Sequence, residues 1–249
     1  MEEIKTFLPS IAIIARIDST RYPGKVIQEI NGKSFLVRII ERVSLSKMKD
    51  KVFLAIPENS ENDILRDLAI KNNIVCYRGS NEDVLSRIYN LCNYFKCQNI
   101  VRINGDCPFI DPFLIDDVIR QHLFKKNDYT SNILKETFPT GMHIEVINFK
   151  TLKKAHNFAK EKIEREHVTP YIYNKPNIFK IGSYTSEKDN SDIRVCVDYP
   201  EDFIMAKNII KETNDKILKV DELANLIRKN KYLLDLCRRF NKKQSIKYK

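Results

Sequence analysis

Residues 12–25 read AIIARIDSTRYPGK, an apolar run followed by a short loop with three basic side chains. The apolar run is typical of a buried parallel strand, and a loop leaving the carboxyl end of such a strand faces the ligand crevice of an open α/β sheet. Arg16, Arg21 and Lys25 would surround phosphate oxygens there, and Gly24 would let the backbone approach them closely. Taken alone, the loop is more simply a solvated basic turn. The rest of the chain therefore has to decide between the two interpretations.

Strand and helix patterns alternate along the whole chain. In the first half, strands are predicted at residues 11–15, 52–56, 74–77 and 100–103, and helices at 35–48, 61–72, 84–95 and from Pro112 onward. In the second half, strands are predicted at 129–132, 143–147, 179–183 and 194–197, and helices at 149–161 and 163–173. This order predicts an α/β fold with a mostly parallel central sheet and helices on both faces.

Charge and composition favour one domain with a basic end. The 249 residues carry a net charge of +10, but residues 228–249 alone contain nine Lys or Arg and one acid, so the rest is close to neutral. We predict a single domain at residues 1–227, with 133–185 as a dimerisation or acceptor-covering element, and a basic helix and tail at 228–249. A nucleic-acid-binding module is the rival interpretation of that tail, although a solvated amphipathic helix is favoured.

The sequence indicates neither a membrane-spanning segment nor a metal site built from cysteines. No apolar run approaches the roughly 20 residues that span a bilayer, and the amino-terminal residues do not resemble a secretory signal, so we expect a cytoplasmic protein without a membrane segment. The six cysteines form no CxxC pair and no zinc-like group, so reduced thiols are expected.

Two carboxylates follow predicted strands. Asn104, Gly105 and Asp106 end the strand at 100–103, and Asp198 ends the one at 194–197. Mg²⁺ commonly takes one or two carboxylates together with substrate phosphates, so this pair is a candidate site. The alternative for either aspartate is a helix N-cap.

Three further polar groups are candidates for binding. The turn Arg78-Gly79-Ser80 leads into the helix that carries Arg87, and it either lies beneath a nucleotide base or only caps that helix. Glu164 and His167 lie one helical turn apart and could bind or deprotonate an acceptor. His143 and Glu145 share one side of a strand by the period of two, and a structural role is equally open for them.

Five motifs together resemble a known family. They are IIARIDSTRYPGK at 13–25, RGS at 78–80 with DVL at 83–85, RINGDCP at 102–108 with IDP at 110–112, REHVTPY at 165–171, and VDYPEDF at 197–203. Their order and spacing resemble the SpsF-type spore-coat polysaccharide cytidylyltransferases, which belong with the synthetases of CMP-activated acidic sugars such as the acylneuraminate and Kdo cytidylyltransferases.

The resemblance implies a Rossmann-like, glycosyltransferase-A-like nucleotidyltransferase fold, often dimeric. The implied reaction transfers CMP from CTP to a sugar or sugar acid with Mg²⁺ and releases pyrophosphate, in surface polysaccharide or glycan synthesis. Arg16, Lys25 and Asp106 would be catalytic, and Asp106 and Asp198 would hold the metal. The implied nucleotide contacts are Ala15, Arg16, Ser19, Thr20, Arg21, Gly24, Lys25, Arg78, Gly79, Ser80, Arg87, Asn104 and Gly105.

The acceptor side is less determined. His143, Glu145, Glu164 and His167 are the candidate acceptor contacts, and His143 stands where an aspartate is common in the SpsF-type pattern. Asp18 replaces a usual glycine, and its charge opposes phosphate binding unless a salt bridge or a metal offsets it. The enzymatic rival is a glycosyltransferase that uses a preformed nucleotide sugar, but three cations in one loop suit a triphosphate better.

Overall fold

The computed structural model describes residues 8–237, and its centre is a seven-stranded sheet. The strands are β1 (Ser10–Ile14), β4 (Val52–Pro57), β5 (Val75–Gly79), β6 (Asn99–Asn104), β7 (Tyr129–Ser131), β8 (Glu145–Asn148) and β9 (Ile181–Ser183), and β2 (Glu29–Ile30) and β3 (Lys33–Ser34) form a separate hairpin. The order is β5-β4-β1-β6-β8-β7-β9, and only β8 runs antiparallel to its neighbours. The predicted fold class is confirmed.

Helices cover both faces of the sheet. They are α1 (Phe35–Ser44), α2 (Asp63–Lys71), α3 (Val84–Phe95), α4 (Pro112–Lys125), α5 (Phe149–Phe158), α6 (Lys162–His167), α7 (Pro170–Tyr173), α8 (Pro200–Thr213) and α9 (Val220–Lys229). Ile11 and Ile13 of β1 face the core that α1, α4, α8 and α9 share, whereas Ala12 faces the core of α3, α5 and α7. The period of two thus gives one strand two buried faces.

The second half of the chain differs from several predicted elements, and the helix at 149–161 and the strand at 179–183 are also shorter than predicted, at Phe149–Phe158 and Ile181–Ser183. Residues 194–197 form no strand, because this segment crosses the sheet edge: the Val195 N–H bonds the Thr140 carbonyl at 2.7 Å and the Val197 N–H bonds the Asp106 carbonyl at 2.9 Å. The helix predicted at 163–173 is two helices, since Val168 adopts φ 73° and Pro170 begins α7. The strand predicted at 143–147 begins only at Glu145.

Loop contacts end α1 four residues earlier than predicted. The Asp116 carboxylate of α4 accepts hydrogen bonds from the Ser46 hydroxyl at 2.6 Å and from the Lys47 and Met48 amides at 3.0 and 3.1 Å. These bonds hold residues 46–48 in a turn that cannot continue the helix.

The last described residues pack on the domain. Residues 231–237 are helical, and Leu233 and Cys237 are fully buried in the core. The remaining predicted tail, residues 238–249, lies outside the described residues, and so does most of the basic charge invoked for nucleic-acid binding. Within the part of the chain that the structure describes, no helix has both the length and the apolarity needed to span a bilayer.

Candidate active site

A cleft of about 700 Å³ opens where β1 and β6 end. These strands are hydrogen-bonded neighbours in the sheet, so the loops that follow them adjoin. The cleft is lined by most of the predicted site residues, namely Ala15, Arg16, Ser19, Thr20, Arg21, Lys25, Arg87, Asn104, Gly105, Asp106, His143, His167 and Asp198. The structure therefore brings together residues from all five motifs at one sheet edge; the second motif contributes Val84, whereas its RGS turn does not line the cleft and is described below.

Gly105 shapes the floor of this cleft, and Gly24 shapes the loop beside it. The Gly105 amide donates to the Ile14 carbonyl at 2.8 Å, and a Cβ at this position would lie 2.8 Å from the same oxygen. Gly24 does not line the cleft; it adopts φ 70° and its amide donates to the Ile17 carbonyl at 2.9 Å. Gly24 thus closes the loop that presents Arg21 and Lys25, and a side chain there would be strained.

Lys25 lies between the two predicted metal ligands. Its Nζ is 3.1 Å from Asp106 Oδ2 and 2.8 Å from Asp198 Oδ1, and Arg21 Nη2 is also 2.8 Å from Asp198 Oδ1. Burial opposes the charge of Lys25, but the two carboxylates outweigh it and raise the pKa of the ammonium. Burial likewise opposes ionisation of Asp198, yet Lys25, Arg21 and Arg194 hold its pKa far below the usual range.

The two carboxylates have the chemistry of a shared magnesium site. Among the described residues, no cluster of three or more His, Cys, Asp or Glu side chains could hold a metal alone. Mg²⁺ does not need one, because it commonly binds one or two carboxylates, several waters and substrate phosphates. Both aspartates already contact one common cation, the Lys25 ammonium. The donor set therefore fits an ion that is held jointly with a nucleotide.

A buried network fixes Asp198 in place. Arg194 is 1% exposed, and its Nη2 lies 3.0 Å from Asp198 Oδ2 and 3.1 Å from Asp202 Oδ2. Asp202 also accepts the amides of Asp198 and Tyr199 at 2.8 and 3.0 Å, at the start of α8. Asp202 rather than Asp198 thus satisfies the helix terminus, and the N-cap alternative for Asp198 is wrong.

Asp106 is not a cap either. The side chain of Asp111 caps α4 by accepting the Phe113 amide at 2.8 Å, so the Asp106 carboxylate remains directed at Lys25.

Asp18 offsets the positive charge of two arginines. Its Oδ1 lies 3.8 Å from Arg16 Nε, and its charge also acts on Arg87. Arg87 is 1% exposed, its Nη1 has one long bond of 3.4 Å to the Ala55 carbonyl, and its Nε has no hydrogen-bond partner among residues 8–237. Burial lowers the pKa of Arg87 to about 10. A guanidinium so poorly partnered favours a ligand acceptor in the cleft.

The RGS turn has a structural role instead of lining the cleft. Arg78 Nη1 bonds Asp63 Oδ1 at 2.6 Å and its Nη2 bonds the Glu58 carbonyl at 2.6 Å, which holds β5 to the start of α2. Ser80 Oγ accepts the Asp83 amide, and a Cβ on Gly79 would lie 3.0 Å from the Arg87 side chain. Arg78, Gly79 and Ser80 are absent from the described cleft lining, so the structure does not bring them to the other predicted nucleotide contacts; Gly79 alone of the three packs against Arg87.

Glu145 is buried away from the cleft, contrary to the predicted acceptor role. It lies directly across from Arg102 in the β6–β8 register and forms an ion pair with it. Its Oε1 accepts the hydroxyls of Tyr129 and Thr169, both at 2.7 Å. Burial alone would raise the pKa of Glu145, but Arg102, Thr169 and Tyr129 hold it below the usual value. The carboxylate is thus fully used by the fold.

The helix α6 presents a different face from the predicted one. Glu164 Oε2 accepts the amides of Lys160 and Glu161 at 3.1 and 3.2 Å, which caps α6 and turns Glu164 away from the cleft. Lys162 and Glu166 line the cleft beside His167 instead. Residues four apart share a helix face, so the 3.6 period counted from Lys162 was the signal that could have found this pair.

Arg165 connects α6 to the start of α3. Its Nε lies 3.0 Å from Asp83 Oδ2, its Nη2 contacts the same oxygen, and its Nη1 bonds the His156 carbonyl at 2.7 Å. Asp83 in turn caps α3 through the Ser86 amide at 2.8 Å. Two motifs 82 positions apart thereby meet at one ion pair.

Comparison with known proteins identifies the family. The Bacillus subtilis spore coat polysaccharide biosynthesis protein SpsF is 31% identical over 88% of this chain and 93% of its own length. A 3-deoxy-manno-octulosonate cytidylyltransferase of Chlamydia pneumoniae is 31% identical over 43% of this chain and 42% of its own. A solved cytidylyltransferase structure from Leptospira borgpetersenii superposes with a TM-score of 0.87 at 30% identity, covering 90% of this chain and 95% of that one. The model of the cytidylyltransferase family matches residues 11–234, and this chain belongs to that family.

Proposed function

We propose that the cleft binds CTP with Mg²⁺ and transfers CMP to a sugar or sugar acid, with release of pyrophosphate. The observation that carries the proposal is the meeting of Lys25, Asp106 and Asp198 at the edge of the sheet where Arg16 and Arg21 also lie. Such a set of cations and carboxylates suits a metal-bound triphosphate. The names of the SpsF and octulosonate relatives support a glycan precursor as the acceptor. Because the reaction consumes CTP, which is supplied in the cytoplasm, we place the reaction there.

The order of strands in the sheet indicates how the substrates lie along the cleft. Arg87 lies by the ends of β4 and β5, Arg16 follows β1, Asp106 follows β6, and His143 precedes β8. Neighbouring strands are about 4.8 Å apart, so the ends of β4 and β6 are separated by about 10 Å across two strand spacings. This order of residues supports a nucleotide base beside Arg87 and phosphates beside the three cations of the loop, Arg16, Arg21 and Lys25. The acceptor would then lie beside His143, Lys162, Glu166 and His167.

The chemistry then depends on positioning. An acceptor hydroxyl oxygen attacks the α-phosphorus, the new P–O bond replaces the α–β phosphoanhydride bond, and pyrophosphate leaves between the loop cations. Asp106 and Asp198 would hold Mg²⁺, which when bound neutralises phosphate charge. Burial lowers the pKa of His143, so its neutral ring nitrogen can accept the hydroxyl proton at neutral pH.

The test is pyrophosphate release from CTP, UTP or ATP with a panel of sugars, sugar acids and sugar phosphates. Asp106→Asn is expected to reduce turnover with CTP by at least about a hundredfold, the usual effect of losing one electrostatic contact to the transition state. The matched control is Asp117→Asn, an exposed carboxylate of α4 paired with Arg120 outside the cleft. Glycosyl transfer from a preformed nucleotide sugar, with no pyrophosphate from any acceptor, would reverse the assignment.

We also propose a homodimer built on residues 133–185. Apolar side chains of this segment are exposed, with Phe158 58% and Ile163 60% accessible. Light scattering should give twice the chain mass of 29.3 kDa, and a monomer mass at micromolar concentration would contradict the proposal.

A further inference from the structure

The ammonium of Lys25 occupies the place between the two carboxylates that a metal ion would need. Its Nζ contacts Asp106 Oδ2 at 3.1 Å and Asp198 Oδ1 at 2.8 Å. The Lys25 side chain is 9% exposed, and those of Asp198 and Asp106 are 10% and 24% exposed. The three groups therefore form one partly desolvated cluster in which the lysine supplies positive charge.

A divalent cation would compete with this ammonium for Asp106 Oδ2 and Asp198 Oδ1, the two oxygens that the ammonium contacts. Ligation of a metal ion at either oxygen would displace the lysine from it. A metal ion and an ammonium held beside the same carboxylates would also repel each other strongly in this partly buried site. A displaced Lys25 then needs a new anionic partner, because a buried unpaired charge is costly. The phosphate oxygens of a nucleoside triphosphate are that partner.

We propose that Lys25 is the resident counter-cation of the Asp106–Asp198 pair, and that it moves from the carboxylates to the triphosphate when metal and nucleotide enter. This inference rests on the proposed function. Metal alone must displace Lys25 without giving it a partner, so metal binds weakly to the nucleotide-free protein. Nucleotide supplies the partner, so metal and nucleotide bind cooperatively.

The geometry assigns this exchange to Lys25 rather than to its neighbour Arg194. Arg194 is 1% exposed and is anchored twice, to Asp198 at 3.0 Å and to Asp202 at 3.1 Å, so it stays when a ligand arrives. Lys25 has a flexible four-carbon stem, and among residues 8–237 its ion-pair partners are the two cleft carboxylates alone. It can therefore change partners by rotating its side chain, without a movement of the loop.

The experiment measures Mn²⁺ binding to the full chain without nucleotide, by the electron paramagnetic resonance signal of free Mn²⁺. Lys25→Met is expected to bind Mn²⁺ about tenfold or more tightly than wild type, an ordinary size for coupling between two ligands. Lys25→Gln removes the charge but keeps a polar amide group that can donate to the carboxylates, so it tests the same idea if Lys25→Met misfolds; its Mn²⁺ affinity should shift in the same direction. Lys33→Met removes the same charge from a lysine that pairs with Glu41 outside the cleft, so its Mn²⁺ affinity should equal that of wild type.

Adding a non-hydrolysable CTP analogue completes the test. The analogue should strengthen Mn²⁺ binding to wild type by a larger factor than it does for Lys25→Met. Unchanged or weaker nucleotide-free Mn²⁺ binding by folded Lys25→Met and Lys25→Gln would overturn the inference. Because this measurement needs neither an acceptor nor turnover, it can fail while pyrophosphate release succeeds, and the reverse is also possible.

Discussion

Replacing Glu145 should destabilise the fold without removing a catalytic group. The side chain is 3% exposed, forms an ion pair with Arg102 and accepts two hydroxyls at 2.7 Å. Removing one partner of a buried ion pair costs about 3–5 kcal/mol, because the other charge remains buried and uncompensated. For a chain of this size each kcal/mol lowers Tm by about 2–4 °C, so Glu145→Ala should lose about 6–20 °C.

Calorimetric melting at pH 7 measures this shift, and pyrophosphate release well below Tm measures activity. Glu164→Ala is the matched control, since that carboxylate only caps α6 through two amides and should cost about 1 kcal/mol. If Glu145→Ala melted within about 2 °C of wild type and yet lost turnover, the carboxylate would serve the acceptor and the assignment to the fold would be refuted.

The same residue predicts a pH dependence. The pKa of Glu145 is lowered in the folded protein, so its stabilising contribution is complete above the unfolded pKa of about 4.3 and is lost as pH falls through the folded pKa. The difference in unfolding free energy between wild type and Glu145→Gln should therefore be constant above about pH 5 and narrow below about pH 4.3. A difference that widened on acidification would contradict this sign.

Two further predictions concern glycine and the contact between motifs. Gly141→Ala should cost about 2 kcal/mol or more, because φ is 102° and a Cβ there would clash with the Cys196 nitrogen. Gly32→Ala, where φ is 69° and the space is open, should cost about 1 kcal/mol. Equal melting shifts for the two variants would contradict the clash. For the ion pair of Asp83 with Arg165, a double-mutant cycle of Asp83→Asn and Arg165→Met in urea should give a coupling of about 1 kcal/mol, and additive effects would show that the pair stabilises nothing.

The site was predictable where local sequence determines both structure and direction. An apolar run followed by basic residues marks β1 and its loop, and RINGD marks the end of β6, because parallel strands end at a common sheet edge. The sequence left the role of Glu145 open, because a residue on the neighbouring strand determines what its carboxylate contacts. The period of two grouped Glu145 with His143, yet only the register of β8 against β6 shows that Arg102 faces the carboxylate.

The sequence by itself determined the α/β class, the order of nearly all strands and helices, the family, and the candidate loop residues 16–25. Local propensity and motif order suffice for these, since they depend on near neighbours along the chain. Only the tertiary structure decided that residues 194–197 cross the sheet edge without forming a strand, that Lys162 and Glu166 replace Glu164 in the cleft, and that Lys25 lies between Asp106 and Asp198. Those outcomes depend on the distance and charge of groups up to 173 positions apart, which no local pattern encodes.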